Sequence, residues 1–484
     1  MTNRAALASR TFSGFAGWVL GSAASAPMVV LVGGIVGTYA ASQLVALPLM
    51  FVLVGAVVWL LSVGYTAMAR EVPHAAAYYA ILAQGLGRGA GVAGGMVALL
   101  CYNAIQISLY GLLGALVAGL AGGSWWVWAL LAVALVGFLG VRRIAVSTWV
   151  MAVVLCASLL VIVLFVAAAV VEPAQGLRWS GFDVGGLFAG GAGAAAALTM
   201  AAFVGVETPA SHGEEVVDEQ VVTRSVRAGI VSLAVLYAVA AFAMGVAVGP
   251  DQVAAVAADP AGGLPFAVLD RMGSVMTPVA QLVLVLAILT SAVAFHGVIA
   301  RYVLGIAGES VLPSRLAHST SRTRVGAPVG GSVLQSVIAA ATIVGFAVMG
   351  ADPQATMFAW LSTLGAMGLL ALLVAASLAA RYHFYRLEPG QRPGGWWTAV
   401  AAPLAGVLCG LVVLVLIILN AGTQLGTAPG SWAPWLLPAA VLGAAVGGGM
   451  WAAWLRRNRP EVYAGIGGGS PDPYSVPDAI DLRF

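Results

Sequence analysis

Residues 33–39 read GGIVGTY, and residues 202–209 read AFVGVETP. Each stretch lies inside a long apolar segment that would otherwise favour one continuous helix. Glycine in a helix interior costs about 1 kcal/mol relative to alanine, and proline removes a backbone hydrogen bond and frees a carbonyl group. The two stretches therefore predict two apolar helices that are each interrupted near the middle.

The composition around these stretches is that of an integral membrane protein. Of the 484 residues, 61% are hydrophobic and only 8% are charged, and the mean hydropathy is +1.00. A soluble chain carries roughly 25% charged residues, so this chain cannot cover a globular surface with charge. The net charge of +3 comes from arginines in short loops between the apolar segments. Arginines at such positions set the orientation of a membrane protein, so the charge does not indicate a nucleic-acid partner.

Apolar segments of about 20 residues are long enough to cross a lipid bilayer. Residues 17–455 are predicted to form an all-α transmembrane domain, residues 1–16 a cytoplasmic N-terminal segment, and the Gly-, Pro- and Ser-rich residues 456–484 a disordered cytoplasmic tail. The twelve predicted transmembrane helices lie at about residues 17–45, 47–69, 89–120, 124–140, 146–171, 187–211, 228–249, 274–300, 327–350, 354–380, 397–420 and 433–455.

The placement of arginine predicts the orientation in the membrane. The chain has no lysine, and of its 21 arginines only Arg178 and Arg271 fall in segments that this topology places outside. Arginine and lysine are enriched in cytoplasmic loops. We therefore predict that both termini are cytoplasmic, in a multi-pass protein of the cell membrane.

The interrupted segments are the first and the sixth, so they hold corresponding places in two halves of five segments each. Paired interruptions of this kind indicate a transporter built from inverted repeats. The repeats would span about residues 17–171 and 187–380, with two extra helices in about 397–455. The alternative interpretation is that the glycines only allow neighbouring helices to pack closely.

Glu207 is the only carboxylate that falls inside a predicted helix. A charge near the bilayer centre costs several kcal/mol, so the side chain is expected to face protein or water and to have a partner. Three roles are open for it. It can hold the interrupted backbone by accepting hydrogen bonds, carry a proton, or pair with a cation on the substrate.

Three motifs resemble those of the amino acid–polyamine–organocation transporter superfamily, over about residues 20–385. They resemble its sixth span, its eighth-to-ninth connection and its second-to-third connection. The residues are FVGVE at 203–207 with Glu214, Glu215 and SVRA at 225–228; Arg301 and Tyr302 with ESVLP at 309–313 and Ala327 and Pro328; and Gly64, Tyr65 and Tyr78 with GLG at 85–87. The resemblance implies a LeuT-type fold, with five-plus-five inverted repeats, broken helices 1 and 6 and two extra helices. It also implies uptake or exchange of amino acids or related amines.

The resemblance implies a substrate site at the two interrupted helices. The amides around Gly37, Thr38 and Tyr39 would bind the substrate carboxylate, and backbone carbonyls of both helices would bind its amino group, since helix starts attract anions and freed carbonyls attract cations. Gln106 would either face this pocket or pack between helices. The implied binding residues are Ile35, Gly37, Thr38, Tyr39, Gln106, Ala201, Phe203, Val204, Gly205 and Phe295.

The coupling ion stays open between sodium and a proton. Thr290 and Ser291 follow Ala287 at a spacing that, in sodium-coupled relatives of the fold, supplies a carbonyl and two hydroxyls to a cation, and hard cations prefer oxygen ligands. Alternatively, the two hydroxyls bond back to the preceding helical turn. His296 either titrates near neutral pH or is a packed, hydrogen-bonded histidine. Glu214, Glu215 and Arg227 are expected to form an ion network beside a gate.

These observations predict a secondary active transporter that moves an amino acid by alternating access, with no cofactor. The substrate is expected to be neutral, because no carboxylate except Glu207 is available for a second substrate cation. A carrier or exchanger of polyamines or cationic amino acids is the alternative, and a transporter-like sensor is a further one. The sequence carries no phosphate-binding GxxxxGK[ST] loop and too few polar residues in its spans for a membrane enzyme.

Overall fold

The computed structural model describes residues 12–141, 148–259, 263–318, 328–388 and 394–468. Within these ranges the chain is all helical and contains no strand, only an isolated bridge between Phe12 and Val216. The predicted all-α class is therefore confirmed. The α-helices are α1 Gly14–Ala24, α2 Pro27–Val29, α3 Val36–Ser42, α4 Leu47–Glu71, α5 Ala77–Leu86, α6 Arg88–Ala121, α7 Trp125–Val141, α8 Thr148–Val171, α9 Ala192–Ala201, α10 Val221–Val248, α11 Val253–Ala258, α12 Phe266–Leu269, α13 Met276–Gly308, α14 Val329–Val348, α15 Ala359–Tyr385, α16 Ala402–Gln424, α17 Leu436–Asn458 and α18 Pro460–Gly465.

Ten helical segments of the described chain are long and apolar enough to cross a membrane. A helix rises about 1.5 Å per residue, so about 20 residues match the hydrocarbon thickness. The ten are Gly14–Ser42, Leu47–Glu71, Arg88–Ala121, Thr148–Val171, Val221–Val248, Met276–Gly308, Val329–Val348, Pro353–Tyr385, Trp397–Gln424 and Ala433–Asn458. Two shorter apolar helices, α7 and α9, fall in the remaining two predicted segments. Twelve crossings therefore stay a prediction.

Short turns of other helix types extend several of these helices. Segments of π-helix precede α3, α15 and α16, and 3₁₀ turns lie mainly in the connections. The π-helical segments are Val30–Ile35, Pro353–Phe358 and Trp397–Ala401, and the 3₁₀ segments are Trp179–Phe182, Val184–Phe188, Thr208–His212, Asp270–Met272, Ser314–Ala317 and Ala433–Trp435.

The first membrane segment is broken earlier than the sequence predicts. α1 ends at Ala24, Ala26 has a left-handed backbone with φ of 48°, and Pro27 then opens a helical stretch that continues to Ser42. Proline is well suited to a first helical position because its missing N–H would have no helical partner there. The prediction that the GGIVGTY stretch is unwound is therefore wrong. Its glycines are accommodated in a π-helical turn and in α3.

The sixth segment is interrupted where the sequence predicts it. α9 ends at Ala201, the backbone turns through residues 202–207, and a short 3₁₀ helix follows. Gly205 has φ of +106°, a conformation that side chains oppose, and a Cβ atom there would lie 2.8 Å from the amide nitrogen of Ser25. The two breaks therefore touch each other, and only glycine fits at the point of contact.

Helix α1 packs against α8, α10 and α13, and α15 packs against α4, α6, α16 and α17. Contacts of α10 with α4 and of α13 with α6 join these two groups of helices. The end of the bundle at which α1 begins is called the α1 end below. Phe12, two residues before α1, pairs there with the loop that follows the sixth segment. Arg301, near the end of α13, forms an ion pair with the same loop. The connections after α4, α13 and α17 lie at this end.

The tail differs from the prediction of disorder after residue 455. α17 continues to Asn458, α18 follows, and Ile466 is 3% exposed. Disorder is wrong for residues 456–468, because an apolar side chain and a glycine in this segment find partners that are distant in sequence. Residues 469–484 of the predicted tail, and most of residues 1–16, lie outside the described residues.

Candidate functional site

A cavity of about 260 Å³ lies where the two broken helices meet. Ser25 and Ala26 at the first break, and Ala201 and Ala202 at the second, form part of its wall. The lining continues along α3 to Ala41, away from the α1 end. The cavity therefore extends from the breaks toward the opposite end of the bundle.

Among the described residues, none that lines this cavity carries a charge. Apolar walls come from α4, α6, α13 and the turn before α15. The aromatic and branched residues among them are Phe51, Ile105, Leu109, Phe295 and Phe358. The lining also lacks histidine, cysteine and methionine, and the described part of the chain contains no cluster of three His, Cys, Asp or Glu residues placed to hold a metal ion.

Most hydroxyl groups of the lining already donate a hydrogen bond to backbone. Ser25 donates to Gly21 at 3.1 Å, Thr38 to Gly34 at 2.6 Å and Ser108 to Ile105 at 2.7 Å. A hydroxyl that donates its proton keeps lone pairs that accept hydrogen bonds. These groups can therefore accept from a ligand ammonium group without giving up their helical contacts.

Backbone at the breaks supplies the remaining polarity. The N-terminus of the helical stretch that begins at Pro27 lies at the cavity, and so does the C-terminus of α9. A helix start carries partial positive charge and a helix end partial negative charge. These two helix ends together match a zwitterion. Its carboxylate would lie at the helix start at Pro27, and its ammonium group at the end of α9.

Six of the sequence-predicted residues line the cavity, namely Gly37, Thr38, Ala201, Val204, Phe295 and the cation-site candidate Ser291. Gly37 and Thr38 lie within α3, however, so their amides point along the helix to preceding carbonyls. Gly37 faces the cavity with its Cα atom, and Thr38 with its side chain. The predicted role of the amides of Gly37, Thr38 and Tyr39 in binding carboxylate is therefore wrong.

Three predicted binding residues point away from the cavity. Ile35 is fully buried, and the Tyr39 hydroxyl donates a 3.0 Å hydrogen bond to the carbonyl of Ala241 in α10. Phe203 packs edge-on against Tyr237, with ring centroids 6.0 Å apart. The local backbone conformation sets the direction of each of these side chains, and a motif match does not show it.

Gln106 is the pocket candidate that the structure assigns to packing. Its side-chain amide donates to the carbonyl of Ala292 at 3.0 Å and to the Tyr110 hydroxyl at 2.7 Å, and its oxygen accepts from Gln335. Gln106 therefore ties α6 to α13 and α14 behind the cavity. His296 belongs to the same layer, with Nε2 at 2.7 Å from the Ser332 hydroxyl oxygen.

Glu207 is buried beside the second break and does not line the cavity. Its Oε2 accepts a 2.9 Å hydrogen bond from the Gly205 amide, and its backbone carbonyl accepts from the Tyr65 hydroxyl at 3.3 Å. Its Oε1 has no hydrogen bond among the described residues. Of the three roles open for Glu207, these contacts fit the one in which it holds the interrupted backbone.

The candidate sodium oxygens bond to protein groups. The Thr290 hydroxyl donates to the carbonyl of Ala287 at 3.0 Å, within the helix. The Ser291 hydroxyl instead donates to the carbonyl of Ala24 at 2.6 Å, across to the first break. In both contacts the hydroxyl is the donor, so its oxygen keeps the lone pairs that a cation would use.

Sequence reasoning missed several cavity residues, among them Ala24, Ser25, Phe51, Ser362 and Thr363. Pro27 was the available signal for Ala24 and Ser25 at the first break, because proline marks a helix start. No local signal marks Ser362 and Thr363, which reach the cavity only through the packing of α15.

The sequence matches the family described as amino acid permease over residues 16–445. The chain belongs to this family. It is a multi-pass membrane protein and a transporter. No curated protein matches its sequence.

The permease also resembles solved structures of a manganese transporter from Eremococcus coleocola. Two alanine mutants of that transporter each superpose with a TM-score of 0.58 at 15% identity, over 93% of this chain and 95% of the other. Its complex with an aromatic bis-isothiourea compound gives 0.55 at 13% identity, over 93% and 94%. At these identities the similarity concerns the fold alone.

Polar contacts join the loops at the α1 end of the permease. Glu215 forms an ion pair with Arg301, and Glu214 accepts a 3.2 Å hydrogen bond from the Ala75 amide. Of the three predicted members, Glu215 and Glu214 thus belong to one contact region through an ion pair and a backbone hydrogen bond, and a gating role for this region stays a prediction. Arg227 lies outside it, with its guanidinium 5.6 Å from the centre of the Trp59 ring.

Proposed function

We propose that the permease is a secondary active transporter of a neutral amino acid. The observation that carries this proposal is an uncharged cavity at the meeting point of two helix breaks. A free amino acid carries one ammonium and one carboxylate group, and the opposed helix ends complement both. The rest of the wall is apolar, which favours an apolar or small side chain on the substrate.

A second charge on the substrate would be disfavoured in this cavity. Burying an ionised group without a partner costs several kcal/mol, and no lining side chain offers the opposite charge. Polyamines and cationic amino acids, the alternative substrates, are therefore the less favoured proposal. Manganese is not proposed, because Mn²⁺ prefers carboxylate and other oxygen ligands and the lining contains no carboxylate.

The transport cycle is proposed to be alternating access in a LeuT-type arrangement, with twelve crossings, two five-helix repeats and both termini in the cytoplasm of the cell. The arginine distribution supports this orientation. In that frame the α1 end faces the cytoplasm, and the cavity lining reaches Gln424 near the outer end of α16. The structure would then be an outward-facing state.

The coupling ion is proposed to be a proton or sodium, or the transporter exchanges one amino acid for another. Sodium would use the lone pairs that the Thr290 and Ser291 hydroxyl oxygens keep while they donate to carbonyl groups. Substrate binding is proposed to need no cofactor.

The test is competition for uptake in proteoliposomes that contain the purified permease. Labelled leucine, alanine and serine are compared with arginine, putrescine and Mn²⁺ as competitors, with and without sodium and pH gradients. Neutral amino acids should displace the label best. Better displacement by arginine or putrescine would contradict the neutral preference, and Mn²⁺ uptake would contradict the amino acid substrate. Empty liposomes are the control.

A further inference from the structure

The chain folds back on itself after the last membrane helix. α18 leads to Ile466, which is buried, and to Gly467, whose two backbone polar groups are both bonded. The Gly467 amide donates to Oε2 of Glu309 at 2.8 Å, and its carbonyl accepts from the side-chain amide of Gln84 at 3.1 Å. The segment is therefore held by α5 and by the residue that follows α13.

Glu309 is the anchor of this contact, and its side chain is 2% exposed. His74 Nδ1 accepts a 2.9 Å hydrogen bond from the Ala76 amide, so the ring proton lies on Nε2, which is 3.2 Å from Glu309 Oε1. The Tyr79 hydroxyl donates to the other oxygen of Glu309. A buried carboxylate needs several donors, and Gly467 supplies one of them.

The fit at Gly467 excludes a side chain. Its φ is +75°, and a Cβ atom would lie 2.5 Å from the Cβ of Ala83. At Gly465, two residues earlier, a Cβ atom would meet nothing within 4 Å. The two glycines therefore form a matched pair, in which one position depends on docking and the other does not.

The docked segment touches the parts that close the α1 end. The loop that carries His74 also carries Ala75, whose amide bonds to Glu214 in the loop after the sixth segment. A second contact joins α17 to the same region, because the Trp451 indole donates a 2.9 Å hydrogen bond to the carbonyl of Val311. The segment that follows α17 thus connects to the contacts that must separate when this end opens.

We propose that residues 460–467 form a latch that holds the α1 end closed and sets how often that end opens. The proposal rests on the proposed alternating-access function. Release of the latch would shift the population toward a state open at the α1 end. One lost hydrogen bond changes a two-state equilibrium by about fivefold.

Two readouts that need no substrate test the latch in the full-length permease. Hydrogen exchange followed by mass spectrometry reports docking of the peptide that contains residues 460–468. Reaction of a single cysteine at Ser211, which is 4% exposed beneath the breaks, reports opening of the α1 end. The cysteine is placed in a background without Cys101, Cys156 and Cys409, the cysteines of the chain.

Gly467→Ala should accelerate both exchange of the latch and labelling at position 211 by about fivefold, whereas Gly465→Ala should change neither. Gln84→Ala removes the second hydrogen bond and should act in the same direction, which keeps the test valid if Gly467→Ala does not fold. Faster exchange without faster labelling would overturn the latch, as would unchanged exchange in both variants. An incorrect substrate would leave both readouts unaffected and would appear only in the uptake assay.

Discussion

The hydroxyl group of Ser291 in α13 donates a 2.6 Å hydrogen bond to the carbonyl of Ala24, the last residue of α1 before the first break. A break leaves carbonyl groups without their helical partners. Ser291 satisfies this one from a neighbouring helix, and it lines the cavity as well. The contact therefore joins the broken helix to α13 at the point where a substrate would bind.

We expect Ser291→Ala to destabilise the permease by about 1 kcal/mol, because the Ala24 carbonyl loses its donor. Thr290→Ala is the matched control, since Thr290 bonds only within its own helix turn. Thermal unfolding of both variants, with and without sodium, is the measurement. A rise in the parent melting temperature with sodium that Ser291→Ala abolishes would indicate a cation site in place of the hydrogen bond.

Gly37→Val should abolish binding of the substrate while the protein still folds. A Cβ atom at Gly37 meets nothing within 4 Å, and the residue lines the cavity, so the valine side chain would fill the ligand space. Gly297→Val is the control, because Gly297 is equally open but does not line the cavity. Binding is measured by isothermal calorimetry or scintillation proximity. Normal affinity of Gly37→Val would mean that the ligand lies elsewhere.

Gly205→Ala should destabilise the fold by about 1–3 kcal/mol, because a side chain at a positive φ is strained and would press on the Ser25 amide. Gly229→Ala in α10 has open space around it and should be neutral or slightly stabilising. Melting temperatures in the same detergent compare the two. Equal stability of Gly205→Ala and the parent would refute the close contact between the breaks.

Single cysteines should report the orientation in intact cells, in a cysteine-free background. A cysteine at Asp259 is expected to react with an impermeant thiol reagent, and one at Ser314 only after permeabilisation. Both residues are exposed, so accessibility of the side chain itself does not limit the reaction. The arginine distribution is the reason for this expectation. The reverse labelling pattern would invert the proposed topology.

The latch anchor should also give a pH signature, and Glu309 lies beyond the membrane-spanning part of α13. Burial raises the pKa of Glu309, but hydrogen bonds from His74, Tyr79 and Gly467 outweigh burial and hold the pKa below its ordinary value of 4.5. Because the pKa is lower in the folded state than in the unfolded state, the ionised carboxylate stabilises the fold above pH 4.5. That stabilisation is lost as the pH falls through the lower pKa of the folded state. Glu309→Gln should therefore lower the melting temperature near neutral pH, with a smaller difference in acid. A constant difference would contradict this assignment.

Local features of the sequence were sufficient to predict the positions of the helices and of one of the two breaks. A long apolar run without charges must bury its backbone polar groups in a helix within a bilayer, so composition alone locates such segments. The second break is also local, because Gly205, Glu207 and Pro209 stand together and each disfavours a regular helix there. The all-α class and the family resemblance followed from the same short-range patterns.

The tertiary structure decided where the first break lies and which side chains meet the cavity. The three glycines of residues 33–37 are tolerated in a helical stretch. The chain instead leaves the helix at Ser25 and Ala26, where Gly205 lies against Ser25 and Ser291 bonds to the carbonyl of Ala24. Gln106 was assigned to packing by partners on α13 and α14, and the order of the tail depends on Glu309. These outcomes depend on contacts between residues that are far apart in sequence. Local propensities describe only neighbouring residues, so they do not include the energies of such contacts.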